Sequence, residues 1–147
     1  MKATRINYMS RNVSSGVLIT LMVAFSTSCA TKMTFSTSSV VPAAQGYVKV
    51  SKDKNKNYVI KISVTDLAEV ERLQPPKQTY VVWMVTSEGL TKNIGQLKSS
   101  KSFMLKKLTA YLKTVSTFNP AKIFITAEND PDVQYPGDQV VLSTGRI

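Results

Sequence analysis

The sequence predicts an all-β domain, a sandwich or an open barrel, on three observations. Apolar and polar residues alternate with period two in several short runs. The densest apolar run is rich in β-branched and aromatic residues, and Gly, Pro, Asn and Asp recur between the runs. The chain has 147 residues, 43% of them hydrophobic and 19% charged, which fits one globular domain, and no internal repeat or heptad run is visible.

The first eleven residues carry Lys2, Arg5 and Arg11 and no acid, and residues 13–25 are then largely apolar. A basic segment ahead of an apolar one of this length is the pattern of a secretory leader, and it falls short of the roughly 20 residues a transmembrane helix needs. Phe25-Ser26-Thr27-Ser28-Cys29 sets small residues before a cysteine, as a lipoprotein processing site does, with Ser26 where such sites usually have Leu. Small side chains let an extended segment enter a peptidase at the membrane face, and the thiol accepts the diacylglyceryl group. The alternatives are an ordinary secretory leader with a spectator cysteine, or an uncleaved signal anchor. The expectation is a bacterial lipoprotein: 1–28 as signal peptide, Cys29 as the lipid attachment residue, and a membrane partner reached through that lipid anchor. Its place is then the cell envelope, at the outer membrane or facing the periplasm.

Cys29 is the one cysteine, so the mature part has neither a disulfide nor a thiol nucleophile. Nineteen basic residues less the three of the leader leave sixteen against nine acids, a formal charge of +7. Such a balance suits anionic lipid or an envelope polymer, and export makes nucleic acid a poor partner.

Residues 29–45 are rich in Thr and Ser, contain Pro42 and show no sustained period; they read as the lipidated N-terminus and a flexible tether. Residues 46–147 are then the folded domain. Tyr47-Val48-Lys49-Val50 pairs as a hairpin with the run from Tyr58 to Val64, in which Tyr58, Ile60, Ile62 and Val64 share one face. The polar run between them, with Lys52, Lys54 and Lys56, reads as a solvated tip rather than a polyanion contact. Residues 66–71 form a short turn with Leu67 and Val70 inward, and Pro75-Pro76 stops any regular element. Tyr80-Val81-Val82-Trp83-Met84-Val85-Thr86 reads as a central strand covered on both sides, with Trp83 packed in the core rather than stacking on a ligand. Residues 90–97 give a shorter extended piece, broken at Ser99-Ser100. Residues 103–115 are ambiguous: Met104, Leu108, Leu112 and Val115 follow helical spacing, while Leu108, Ala110 and Leu112 alternate as a strand does. Periodicity alone favours the helix. Residues 122–128 read as a strand, a long loop follows, and 139–142 close the domain.

Histidine is absent from the chain, which removes the commonest neutral-pH base and the imidazole metal ligand. Glu128, Asp130, Asp132 and Asp138 are the one acidic cluster. They lack the ligand order and mid-loop glycine of a calcium loop, and Asp130 and Asp132 read as turn formers around Pro131. Glu69, Glu71, Glu88 and Glu128 could supply paired carboxylates, but nothing in the sequence brings two of them together. Neither a phosphate-binding glycine loop nor a nucleophile elbow occurs. The expectation is a non-enzymatic protein with no catalytic, cofactor-binding or metal residues.

Tyr80-Val81-Val82-Trp83, Gly89, Ile94-Gly95-Gln96-Leu97, the stretch from Ile123 to Glu128, and Pro136-Gly137 before an apolar strand resemble the extracytoplasmic C-terminal domain of anti-sigma-K factors. The resemblance covers roughly residues 80–142. It implies a single immunoglobulin-like β-sandwich of about six to eight short antiparallel strands, and it turns residues 103–115 from helix to one or two strands. The sigma-binding helical domain and the membrane helix of such proteins are replaced here by a lipoprotein leader, so sigma-factor inhibition is not implied. Two functions are expected from different classes. One is an envelope protein-interaction or sensing module; the other is a binder of an anionic small molecule, glycan or lipid.

Overall fold

Alternation makes the first hairpin. Ile60, Ile62 and Val64 are buried and Lys61 and Thr65 exposed in β3 (Tyr58–Thr65), and β2 (Gln45–Lys52) buries Val48 and Val50 on the same side. The computed structural model describes residues 30–101 and 108–147. Among these the further strands are β1 (Thr31–Thr34), β4 (Thr79–Thr86), β5 (Thr91–Gln96), β6 (Lys98–Lys101), β7 (Leu108–Ser116), β8 (Pro120–Glu128) and β9 (Val140–Ser143). They form two antiparallel sheets, β1-β2-β3-β7-β6 and β5-β4-β8-β9. The core between the sheets includes Val48, Ile60, Ile62, Val82, Met84, Ile123, Ile125 and Leu142.

The all-β sandwich is therefore as expected. β2-β3-β7-β6 and β5-β4-β8-β9 follow the immunoglobulin order A-B-E-D and C′-C-F-G, with β1 added ahead of the first strand. The sheets' edges are tied together. Phe35 bridges Thr144, and the Ser36 N–H donates to the Ser143 carbonyl, so the β1 side meets β9. On the other side β5 runs into β6 through buried Leu97, whose N–H donates to the Tyr80 carbonyl. Such closure limits the unpaired edge that a sandwich would otherwise present.

Two expectations are corrected. Residues 31–34 are not tether but an edge strand, with Thr31 opposite Val50 and Thr34 opposite Tyr47, and Val41 and Ala44 are buried. Thr and Ser suit an edge strand as readily as a linker, and composition alone does not separate them. The break placed at Ser99-Ser100 lies inside β6. The stretch ambiguous by periodicity is a strand where it is described, as the resemblance implied: residues 108–115 belong to β7, where Ala110 is buried and Tyr111 and Lys113 are exposed, and residues 103–107 lie outside the described residues. Pairing with β3 along seven residues overrides the helical spacing.

β4 is buried on both faces. Tyr80, Val82 and Met84 enter the core between the sheets; Val81 and Trp83, both 0% exposed, turn to the other side. Trp83 is thus packed, as expected, but on the outer face of the four-stranded sheet rather than between the sheets as in immunoglobulin domains. It stacks on Phe124 at 6.3 Å, and its Nε1–H donates to Thr126 Oγ1 at 2.8 Å. Thr126 Oγ1 in turn donates to Glu128 Oε1, which also accepts from the Gly137 N–H at 2.7 Å. A Cβ at Gly137 would lie 2.8 Å from Glu128 Oε2, so a larger residue here would displace the carboxylate from this arrangement. The loop between β8 and β9 is fixed a second time where Asn93 Nδ2, opposite Trp83 on β5, donates to the Pro131 and Val133 carbonyls. Ile94 is the extra residue of a bulge there, followed by Gly95 at φ +126°.

The connection from β3 to β4 holds Leu67, Val70 and Leu73 inward around a single 3-10 turn, Val70–Arg72. The Tyr80 hydroxyl donates to the Ala68 carbonyl at 3.0 Å beneath it. Burial first, and the Glu71 carboxylate second, push this phenol from its ordinary 10.0 up to about 12. The unfolded phenol ionises while the folded one stays neutral, so its contribution is whole below pH 10 and is lost as pH rises to about 12. Urea unfolding across that range should show falling stability, with a shallower fall in Tyr80→Phe; identical slopes would contradict the assignment.

Candidate functional site

Residues of the five-stranded sheet that do not face the core face solvent, and register decides which of them are neighbours. Parity turns Lys32 and Thr34 of β1 outward, with Tyr47, Lys49 and Ser51 of β2, Val59, Lys61 and Ser63 of β3, and Tyr111, Lys113 and Val115 of β7. Pairing then sets Lys32 opposite Lys49, Lys49 opposite Lys61, and Lys61 opposite Lys113. All four are exposed. At a strand spacing of about 4.8 Å the row spans about 14 Å.

The next row on this face is Thr34, Tyr47, Ser63, Tyr111 and Lys98. Tyr47 and Tyr111 are 38% and 48% exposed. Lys32 Nζ lies 4.3 Å from the centre of the Tyr47 ring, a contact that holds the ammonium over the aromatic face. Beside Tyr47 is an open depression of about 470 Å³ lined by Thr34, Phe35, Pro42, Tyr47, Ser63 and Thr65. Among the described outward residues of the sheet there is no Asp or Glu. The face therefore offers a line of cations beside hydroxyl groups and two aromatic rings, a donor set suited to an anionic, hydroxyl-bearing ligand.

The other sequence-predicted candidates fare differently. Cys29 lies outside the described residues, and Thr31, two residues on, opens β1. Lys52, Lys54 and Lys56 sit on the β2–β3 tip, where Asp53 Oδ1 accepts from the Asn55 and Asn57 N–H groups, and Lys52 Nζ lies 5.1 Å over the Tyr58 ring. The acids do not converge. Glu128 is buried in the Trp83 network, while Asp130 Oδ1 accepts from the Asp132 N–H as a turn former. Glu69 pairs with Arg72 at 2.8 Å, and Glu88 lies beyond the end of β4 opposite to Glu128. Among the described residues no group of three or more His, Cys, Asp or Glu could hold a metal ion, and no helix is long and apolar enough to cross a membrane.

The lysine row is the feature that sequence reasoning missed. Lys49 and Lys61 were visible as polar alternates of one hairpin. Lys32 was hidden in the supposed tether and Lys113 in a stretch with helical spacing. Like charges directly opposite on paired strands are destabilising, by about 0.2–1 kcal/mol a pair. Lys61 stands in two such pairs. Lys61→Thr is expected to raise stability by about 0.5–1 kcal/mol in chemical unfolding; a loss of that size would mean that the row is not in repulsive register.

No family model matches the chain, and neither a curated protein nor a solved structure matches it. What the protein does is read from its own faces and charges.

Proposed function

We propose that this chain is a non-enzymatic lipoprotein of the bacterial envelope that binds an anionic glycan on the outer face of its five-stranded sheet. The observation that carries the reading is the registered row Lys32, Lys49, Lys61 and Lys113. Sheet stability disfavours it, which leaves binding as its physical rationale. Charges repeated on neighbouring strands suit a polymer whose acidic groups recur along its length. Tyr47, Tyr111 and the hydroxyls of Thr34 and Ser63 suit sugar rings laid beside the row. This reading takes the binder of an anionic ligand over a protein-interaction or sensing module, because the face is cationic rather than apolar. The leader pattern and Cys29 supply the attachment: the lipid anchor sets the protein at a membrane, and the domain acts by surface rather than by reaction.

Two measurements test it. Calorimetry with an acidic polysaccharide such as polygalacturonate should give binding that weakens steeply with added salt, and neutral dextran should give none. Lys49→Glu with Lys61→Glu should reduce affinity at least tenfold without loss of fold; unchanged affinity would sink the site. For attachment, the intact mass of the membrane-extracted protein should correspond to a start at Cys29 plus lipid, and Cys29→Ser should leave the membrane fraction. A start elsewhere, or an unmodified thiol, would remove the lipoprotein reading while leaving the glycan site standing.

A further inference from the structure

We infer that the end of the sandwich where β1 begins docks on an anionic phospholipid bilayer, so that the strands stand away from the membrane and the lysine row lies just above its headgroups. This rests on the Cys29 anchor and goes beyond the glycan site. Strand order and register place five features at that one end. Thr31 is opposite Val50, next to the β2–β3 tip. Ser116 is opposite Tyr58, so the β7–β8 connection lies there. Thr86 is opposite Pro120, and the Ser87 N–H donates to the Asn119 carbonyl, which adds the β4–β5 hairpin. The Ile147 N–H donates to the Ala121 carbonyl, which adds Arg146 and Ile147.

Charge and apolarity coincide at this end. Lys52, Lys54, Lys56, Lys92, Lys122 and Arg146 lie on these segments, against the acids Asp53 and Glu88. Asp66, Glu69, Glu71, Glu128 and Asp138 lie at the opposite end, and Asp130 and Asp132 on the flank of β5. Between the cations are exposed apolar side chains: Leu90 at 50%, Val115 at 55% and Phe118 at 38%. Lys92 Nζ lies 4.3 Å over the Phe118 ring. Apolar side chains that enter the headgroup boundary, ringed by cations that face anionic lipid, are the chemistry of a peripheral membrane contact.

Reach decides the orientation. Two residues span at most about 7 Å, so the start of β1 stays within about that distance of Cys29. A headgroup layer is about 5–7 Å deep. An acylated Cys29 therefore leaves no spacer, and the end that carries β1's start must meet the surface. The attraction acts within a Debye length of about 8 Å, which these tip lysines would satisfy.

The test uses the lipidated protein reconstituted in vesicles of phosphatidylcholine, with and without phosphatidylglycerol. Lysine acylation is read by mass spectrometry. Lys54, Lys56, Lys92 and Lys122 are expected to label several-fold more slowly in the anionic vesicles, while Lys77 at the far end labels alike in both. Lys54→Glu with Lys122→Glu, both exposed, should abolish the difference. Equal labelling of the tip lysines in both vesicles, or protection of Lys77 instead, overturns the docking while the anchor stands. The same spectra read Cys29: an unmodified thiol overturns the anchor and the docking together, and neither result touches the glycan site.

Discussion

The structure depends on β4 and β8 being buried on both faces. Their inward residues, Val82, Met84, Ile123 and Ile125, require the five-stranded sheet as a cover. Their outward residues, Val81, Trp83, Thr126 and Glu128, require a second cover. The β8–β9 loop is pinned over that side at Asn93 and at Glu128. The hydrogen-bonded chain from Trp83 through Thr126 and Glu128 to the Gly137 amide satisfies polar groups that burial would otherwise leave costly. With the four-stranded sheet covered on both sides, the broad solvent-facing sheet surface is the outer face of the other sheet.

That free face is where the sequence departs from what stability favours. An exposed antiparallel sheet is stabilised by opposite charges or by β-branched and aromatic pairs across its strands. Here four lysines stand in register with no acid on the same described face. Local rules broken without a compensating contact are concentrated at functional sites in folded proteins, and the row is the clearest such break in this chain. The end where β1 starts repeats the sign of charge, so the protein is basic both there and along the face beside it.

Much of the fold was legible because period-two alternation survives in β2, β3 and β8, and the continuous apolar run of β4 announces a strand with two covered faces. The strands lost were those whose residues carry no such pattern. Thr31-Lys32-Met33-Thr34 is an edge strand with one half-buried side chain, and its composition equals that of a linker. Lys98-Ser99-Ser100-Lys101 is polar throughout, and only its pairing with β7 makes it a strand. Met104, Leu108, Leu112 and Val115 follow helical spacing while Leu108, Ala110 and Leu112 follow extended spacing, and tertiary pairing chose between them. The candidate site was less legible than the fold for the same reason. A row across strands is set by register, which joins residues far apart in sequence, and two of its four lysines sat in the segments whose structure the pattern did not reveal.

The measurement that bears most directly on the lysine face is a backbone amide chemical-shift map of the protein titrated with an acidic polysaccharide. Shifts centred on Lys32, Lys49, Lys61 and Lys113, extending to Tyr47 and Ser63, are the predicted result. Shifts confined to the β8–β9 loop or the outer side of β4 and β8, with the lysine row silent, would contradict it.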